Sequence, residues 1–155
     1  MSRAFVKEED SIALEQPPEL ELGEGPNLVT ERGFAQIVDK VAALESELAG
    51  TTDEATRNRL ARDLRYWSAR RSTAEIVAPP AGDQVAFGSR VTLARNGRRQ
   101  TLEIVGEDEA DPAQARINWR APLVEVILGA RAGEKVIWGD REPPEEIEIL
   151  AVERI

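Results

Sequence analysis

The sequence contains no cysteine and no histidine, and aromatic residues make up only 5% of its 155 positions. These absences exclude disulfide bonds, a thiolate nucleophile, zinc-finger ligand sets and a histidine general base. Carboxylates remain as the side chains from which a metal site could be built. The sequence therefore disfavours enzymes that depend on thiol or imidazole chemistry.

Basic residues are outnumbered by acidic ones, and long apolar segments are lacking. The chain has 20 Lys and Arg residues against 29 Asp and Glu residues, which gives a net charge of −9. Proteins that bind duplex DNA or anionic membranes on their own usually have the opposite balance. No apolar stretch approaches the roughly 18 residues of a membrane helix, and the first residues lack the apolar segment of a signal peptide. We therefore expect a cytoplasmic protein with no autonomous binding to DNA or membranes.

The first of three segments, residues 1–27, is strongly acidic. It carries seven acidic and two basic side chains, together with Pro17 and Pro18. This composition is typical of a disordered tail, because it offers little apolar surface to bury. Within it, Phe5 and Val6 are the residues that we expect to dock elsewhere as a short strand.

The second segment, residues 28–78, has helical periodicity. Its seam positions, spaced by three and four residues, are Phe34, Ile37, Val41, Leu44 and Leu48, then Leu60, Leu64, Trp67, Arg71 and Ala74. The break at residues 50–52 between two such runs predicts an antiparallel coiled-coil hairpin. Thr30 is a suitable N-cap for the first helix, and the pair Pro79-Pro80 should end the second.

The third segment, residues 79–155, alternates with the period of strands. Asn96-Gly97 predicts a two-residue hairpin turn, because both positions tolerate positive φ. Residues 122–128 predict a helix with proline in its first turn. The predicted strands are residues 84–87, 90–93, 101–105, 116–119, 135–138 and 146–152. The expected fold class is α+β, in which a helical hairpin precedes a small antiparallel sheet with one helix.

Seven stretches of the chain resemble, in order and spacing, the bacterial Gre transcript-cleavage and elongation factors. They are residues 28–34, 73–77, 85–91, 104–111, 117–123, 128–129 and 133–136. The resemblance implies an FKBP-like C-terminal domain that docks on bacterial RNA polymerase beside its secondary channel, and a coiled coil that points into the channel. We expect a monomeric accessory factor that has no active site of its own.

The hairpin tip carries Asp53 and Glu54. In the cleavage factors that the chain resembles, the arms are several turns longer, and two spaced acidic residues help to hold a second Mg²⁺ in the polymerase active site. Asp53 and Glu54 are the candidates for such transient Mg²⁺ ligands. The alternative is helix capping, since Thr51 and Glu54 fit a capping box. We favour capping, because arms this short should end before the polymerase active site.

The loop before the predicted helix contains the candidates for polymerase docking. They are Asn118, Trp119, Arg120, Ala121, Pro122 and Leu123. The resemblance implies that this loop faces the polymerase, and Trp and Arg are residue types that dominate interface energies. The alternative for Trp119 is a place in the core. Ala121 stands where the family usually has Ser. Alanine cannot cap the helix as serine would, so we expect the loss of a cap worth about 1 kcal/mol.

Two charged groups have both a functional and a structural interpretation. Residues 107–111 hold four carboxylates, which we interpret as a solvated turn rather than a metal site. The second helix carries Arg57, Arg59, Arg62, Arg65, Arg70 and Arg71. For these arginines we favour ion pairs with Asp39, Glu45, Glu47 and Asp63, the alternative being contact with nucleic acid or an acidic partner.

The sequence thus predicts an RNA polymerase-binding regulator of transcription elongation with a short hairpin. One alternative is a genuine transcript-cleavage factor that uses Asp53 and Glu54. Another is a Gre-related regulator similar to the regulator of nucleoside diphosphate kinase, which the short hairpin resembles. A prolyl isomerase is disfavoured, since that activity needs an aromatic-lined cleft and the chain has few aromatic residues.

Overall fold

The structure, a computed structural model, describes residues 16–155. Residues 1–15, which include the predicted docking pair Phe5 and Val6, lie outside the described residues. The described chain forms two compact units, of which one comprises residues 16–25 and 36–73 and the other residues 26–35 and 74–155. None of its helices is both long and apolar enough to cross a membrane.

Two helices form the predicted hairpin. Helix α1 spans Glu31–Gly50 and helix α2 spans Glu54–Thr73, with 20 residues each. At about 1.5 Å per residue, each arm is about 30 Å long. Thr30 caps α1 as predicted, because its Oγ1 accepts a 2.9 Å hydrogen bond from the backbone N–H of Gly33.

The apolar seam of α1 is buried at its centre. Ile37, Val41 and Leu44 are each 5% exposed or less, while Phe34 and Leu48 are half-buried. The step of three and four residues therefore identified the inward face of this helix correctly.

Two three-residue strands that were not predicted flank the hairpin, one before it and one after it. Strand β1, Asn27–Val29, pairs in parallel with strand β2, Ala74–Ile76. The prediction that α2 extends to Pro79-Pro80 was therefore wrong, since the helix ends at Thr73. Its last predicted turn is extended instead, because the backbone of residues 74–76 pairs with β1.

A five-stranded sheet forms the centre of the second unit. Its strands are β3 (Ser89–Arg95), β4 (Arg98–Val105), β5 (Arg116–Asn118), β6 (Lys135–Trp138) and β7 (Glu145–Arg154). Their order is β5-β4-β3-β7-β6. Helix α3, Pro122–Ile127, is the predicted single helix. The α+β class, with a helical hairpin followed by a sheet domain, is confirmed.

The sheet differs from the antiparallel prediction in one pairing. Strands β4 and β5 are parallel, whereas the other pairs are antiparallel. A parallel neighbour requires a crossover rather than a tight hairpin. Residues 106–115 provide this crossover, and they include a short 3₁₀ turn at Pro112–Gln114.

Local turn chemistry explains one confirmed prediction and one wrong one. Asn96 and Gly97 have φ values of 50° and 71°, as the predicted hairpin turn requires. Residues 84–87 do not form the predicted strand, because the backbone turns at residues 86–89. There the N–H of Ser89 donates to the carbonyl of Ala86 over 3.1 Å, and Ser89 Oγ accepts from the N–H of Ala86 over 3.1 Å.

The core of the second unit lies between the sheet and α3. Val91, Ile104, Val124, Ile127 and Ile147 are fully buried there. Trp119 and Trp138 are partly buried and pack against this cluster. The core therefore fixes the position of the loop that enters α3.

Candidate functional site

The predicted docking loop, residues 118–123, joins β5 to α3 and is held by its own backbone. The N–H of Trp119 donates to the carbonyl of Val105 over 2.9 Å, and the N–H of Ala121 donates to the carbonyl of Asn118 over 2.9 Å. The side chain of Asn118 accepts a 3.0 Å bond from the N–H of Arg120. These bonds define one loop conformation before any partner is bound.

Trp119 and Arg120 form a stacked pair in this loop. The guanidinium carbon of Arg120 lies 4.9 Å from the ring centroid of Trp119, a cation–π distance. Arg120 Nη2 also donates to the carbonyl of Pro26 over 2.9 Å. Trp119 therefore contributes to the core on one side and supports an exposed, oriented cation on the other.

The six docking candidates differ in how much surface they offer. Arg120 and Pro122 are exposed, whereas Asn118, Trp119 and Ala121 are half-buried. Leu123 is only 7% exposed and belongs to the core. Its side chain therefore anchors α3 and presents little surface to a partner.

Ala121 occupies the N-cap position of α3. It has the extended backbone typical of a cap, but no side-chain hydrogen bond reaches the helix. The helix begins at Pro122, whose missing N–H needs no partner in the first turn. The predicted loss of a cap at this position is therefore present in the structure.

An apolar groove of about 560 Å³ lies beside the docking loop. Its lining residues are Gln100, Thr101, Leu102, Ala110, Pro112, Ala115, Arg116, Ile117, Asn118 and Ala121. None of these residues is aromatic. The groove thus lacks the aromatic lining that a prolyl isomerase would need.

Asp53 caps α2 at the hairpin tip. Its Oδ2 accepts hydrogen bonds from the Thr56 hydroxyl over 2.6 Å and from the Thr56 N–H over 3.0 Å. These two bonds hold the pKa of Asp53 below its usual value. Glu54 is exposed in the first turn of α2, where a negative charge offsets the helix dipole.

The predicted capping box of Thr51 with Glu54 was wrong. The Thr51 hydroxyl donates instead to the carbonyl of Glu47 over 2.6 Å, at the end of α1. Arg57 also binds this end, because its Nη1 donates to the carbonyls of Leu48 and Thr51 over 3.0 and 2.7 Å. The side chains of Thr51 and Arg57 therefore bind carbonyl groups at the end of α1.

The hairpin tip offers few side chains that could bind a metal ion. Across residues 16–155, the structure has no group of three or more Asp, Glu, His or Cys side chains placed to hold a metal ion. Asp53 and Glu54 therefore supply two carboxylates at most, and further ligands would have to come from another molecule.

Glu109 has a structural role that the sequence did not reveal. Its carboxylate accepts a 2.5 Å bond from the Thr30 hydroxyl and a 2.6 Å bond from Arg32 Nε. Its side chain is only 2% exposed. The interpretation of residues 107–111 as a solvated turn was therefore wrong for Glu109, which is enclosed by the residues that begin α1.

Two glycines make this enclosure possible. A Cβ on Gly33 would lie 2.8 Å from Glu109 Oε1, and a Cβ on Gly106 would lie 2.4 Å from the carbonyl oxygen of Leu28. Both distances are too short for a side chain. The Thr-x-x-Gly pattern at residues 30–33 thus combines a helix cap with room for a buried carboxylate.

Glu103 extends the same cluster. It pairs with Arg32 at 2.7 Å and Arg90 at 2.9 Å, and Arg116 lies 3.5 Å away. Burial alone would raise the pKa of Glu103, but the hydrogen bonds from Arg32 and Arg90 lower it below its usual value. Glu103 therefore stays ionised and holds Arg32 against Glu109.

Comparison with known proteins identifies the C-terminal domain. Residues 79–154 match the family model described as the C-terminal domain of transcription elongation factor GreA/GreB. The chain is 46% identical over 98 residues to transcription elongation factor GreB of Neisseria meningitidis serogroup A, a match covering 61% of the chain and 60% of that protein. It is 36% identical over 93 residues to GreA of Anaeromyxobacter, covering 57% of the chain and 54% of that protein.

Solved structures of Gre-related proteins also match the chain. GreA factor homolog 1 of Thermus thermophilus shares 17% identity at a TM-score of 0.39, over 83% of this chain and 99% of that one. A GreA/GreB factor of Nitrosomonas europaea shares 17% identity at a TM-score of 0.40, over 81% and 98%. The matched part spans 60% of the Neisseria GreB sequence. Residues 79–154 therefore form a GreA/GreB C-terminal domain, and the chain is similar to Gre factors.

Proposed function

We propose that the chain binds bacterial RNA polymerase at its secondary channel and regulates transcription elongation there. The observation that carries the proposal is the GreA/GreB match over residues 79–154, which covers the sheet, α3 and the docking loop. The cytoplasm is then the site of action, because the polymerase is located there.

The docking loop has properties suited to a binding surface. It is fixed by backbone hydrogen bonds, so binding would not require a flexible segment to become ordered. Arg120 is exposed and held in place both by the ring of Trp119 and by the carbonyl of Pro26. An oriented arginine beside a tryptophan is the type of residue pair that contributes most to interface energy.

The hairpin tip favours regulation over RNA cleavage. Each arm is about 30 Å long, shorter than the arms of the cleavage factors that the sequence resembles. Asp53 already serves as the cap of α2. We therefore propose an accessory factor that is not itself an enzyme, that works as a monomer and needs no cofactor of its own.

Transcript cleavage is the second candidate function. Asp53 and Glu54 are adjacent and exposed at the end of the hairpin, and the lowered pKa of Asp53 keeps it negatively charged. Two such carboxylates could add ligands to a Mg²⁺ ion that the polymerase holds. This function requires the tip to reach the polymerase active site.

RNA cleavage in purified, backtracked elongation complexes separates the two candidates. If the chain is a regulator, it should not accelerate cleavage, but it should compete with an authentic GreB protein at matched concentration. If it accelerates cleavage and the Asp53→Ala/Glu54→Ala variant does not, the second candidate is correct.

Docking has its own test. Arg120→Glu should weaken binding to the polymerase at least tenfold, because it reverses an oriented charge at the proposed interface. Arg99→Glu makes the same change at an exposed position in the β3–β4 hairpin and should bind like the unmodified chain. Equal affinity of the two variants would show that the polymerase binds another surface.

A further inference from the structure

An acidic segment lies against the hairpin within the first compact unit. We define the strap as residues 16–25, which carry Glu19, Glu21 and Glu24. Arg65 of α2 forms an ion pair with the Glu19 carboxylate. Its Nε lies 3.1 Å from both carboxylate oxygens, and its Nη2 donates to Oε1. Two guanidinium nitrogens thus contact the carboxylate through charge-assisted hydrogen bonds.

A second contact ties the strap to α2 further along. Arg70 is the buried residue of α2, at 5% exposure. Its Nη1 donates to the backbone carbonyl of Leu22 over 3.2 Å. A buried guanidinium needs hydrogen-bond acceptors, and the strap supplies one of them.

The strap and α2 are also complementary in charge. Helix α2 carries six arginines and two acidic residues. The hydrogen bond from Arg65, with the nearby charge of Arg62, holds the pKa of Glu19 below its usual value. Of the acidic residues predicted to pair with these arginines, Asp63 does so, at 2.8 Å from Arg62.

We propose that the strap is an intramolecular competitor, which covers the arginine face of α2 until the hairpin engages the polymerase. This inference rests on the proposed function. The Glu19–Arg65 pair is well exposed, at 64% and 58%. Exposed ion pairs change an equilibrium by about two- to fivefold, so the strap reduces affinity without blocking binding.

The first arm of the test asks whether the strap docks, without any polymerase. Because the chain has no cysteine, Leu20→Cys provides a single attachment point for a nitroxide spin label. In the full chain, the label should broaden the amide signals of residues 62–70 in NMR spectra. Glu19→Arg should remove most of this broadening, and adding Arg65→Glu should restore it. The matched control Glu21→Arg makes the same charge change and should retain the broadening.

Full signal intensity in the labelled but otherwise unmodified chain would overturn the proposal. So would equal broadening in the Glu19→Arg variant, since the contact would then not hold the strap in place.

The second arm measures affinity for bacterial elongation complexes at about 0.1 M salt, where surface charges still interact over roughly 10 Å. Glu19→Arg should bind about two- to fivefold more tightly than the unmodified chain, and Glu21→Arg should bind like it. If Glu19→Arg binds no more tightly, the strap does not compete with the polymerase and the inference fails, while the proposed function stands. If no variant binds, the proposed function itself fails and competition fails with it.

Discussion

Gly33→Ala reverses a normal effect of helix propensity. At an ordinary helical position, replacing glycine by alanine stabilises the protein by about 1 kcal/mol. Gly33 is the third residue of α1, but its missing side chain would face Glu109. The new Cβ would lie 2.8 Å from Glu109 Oε1 and 3.3 Å from Thr30 Oγ1.

The Glu109 carboxylate cannot move away freely, because Thr30 and Arg32 hold it at 2.5 and 2.6 Å. Forcing one extra carbon into such a site costs about 1–3 kcal/mol. This exceeds the gain of about 1 kcal/mol in helix propensity. Gly33→Ala should therefore lower the free energy of unfolding by about 1 kcal/mol.

The sign should change when the carboxylate is removed. Glu109→Ala alone should cost about 3 kcal/mol, because it breaks two hydrogen bonds and leaves the buried Thr30 hydroxyl without that acceptor. In this background the Glu109 atoms that crowd Gly33 are gone and only Thr30 Oγ1 remains, at 3.3 Å, so Gly33→Ala should stabilise by about 1 kcal/mol. The expected coupling between the two substitutions is thus about 2 kcal/mol, as found for residues in direct contact.

Urea unfolding followed by tryptophan fluorescence can measure this coupling. The chain has three tryptophans, and Trp67→Phe removes the one in α2, so that Trp119 and Trp138 report on the sheet domain alone. All four members of the cycle should carry this substitution. If Gly33→Ala stabilises the chain while Glu109 is present, the steric argument is refuted. A coupling near zero would refute it as well.

Three further predictions concern the same domain. Gly106→Ala should cost about 3 kcal/mol in urea unfolding, because its Cβ would meet the backbone carbonyl of Leu28 at 2.4 Å and backbone cannot rotate away. Ala121→Ser should raise the free energy of unfolding by about 1 kcal/mol by capping α3, whereas Ala121→Val should not. Glu103 has a lowered folded-state pKa, so its contribution is present above the unfolded pKa of about 4.3 and lost as pH falls through the folded value. Glu103→Gln should therefore destabilise the chain at neutral pH, and the difference in thermal unfolding should shrink below about pH 4.

Long periodic elements were predictable from the sequence, since they carry their own signal. The apolar steps from Ile37 to Leu44 identify a helix face whatever it packs against. Asn96-Gly97 determines a turn through backbone conformation alone. These features depend on neighbours in sequence, which is why the hairpin, most strands and the single helix were found.

Strands β1 and β2, which pair in parallel with each other, were not predictable in the same way. Three residues such as Asn27–Val29 are too few to show a period, and their partner lies beyond the whole hairpin. The burial of Glu109 has the same origin, because Thr30 and Arg32 are 79 and 77 residues away in sequence. The sequence did carry one signal for these contacts. Gly33 lies in a helix and Gly106 in a loop, and a glycine at such a position indicates that another residue approaches too closely for a side chain.

The position of the candidate docking loop in the chain was predictable, whereas the contacts of its side chains were not. The position of the docking loop follows from the strand and helix on either side of it. However, Leu123 lies in the core, and the stacking of Arg120 on Trp119 depends on rotamers that the sequence does not determine. At the tip, the capping prediction identified the right kind of interaction with the wrong residue. Asp53 directly precedes α2 and has a carboxylate, so it is a better acceptor for the first N–H groups than Thr51.

The boundaries of the sheet domain determine which form of the protein a docking experiment should use. The GreA/GreB match begins at residue 79, but the compact unit also includes residues 26–35 and 74–78. A fragment that starts at residue 79 loses Arg32, which pairs with Glu103 and Glu109. It also loses the carbonyl of Pro26, which helps to orient Arg120. Failure of such a fragment to bind polymerase would therefore reflect the missing contacts, and only the full chain can test the proposed surface.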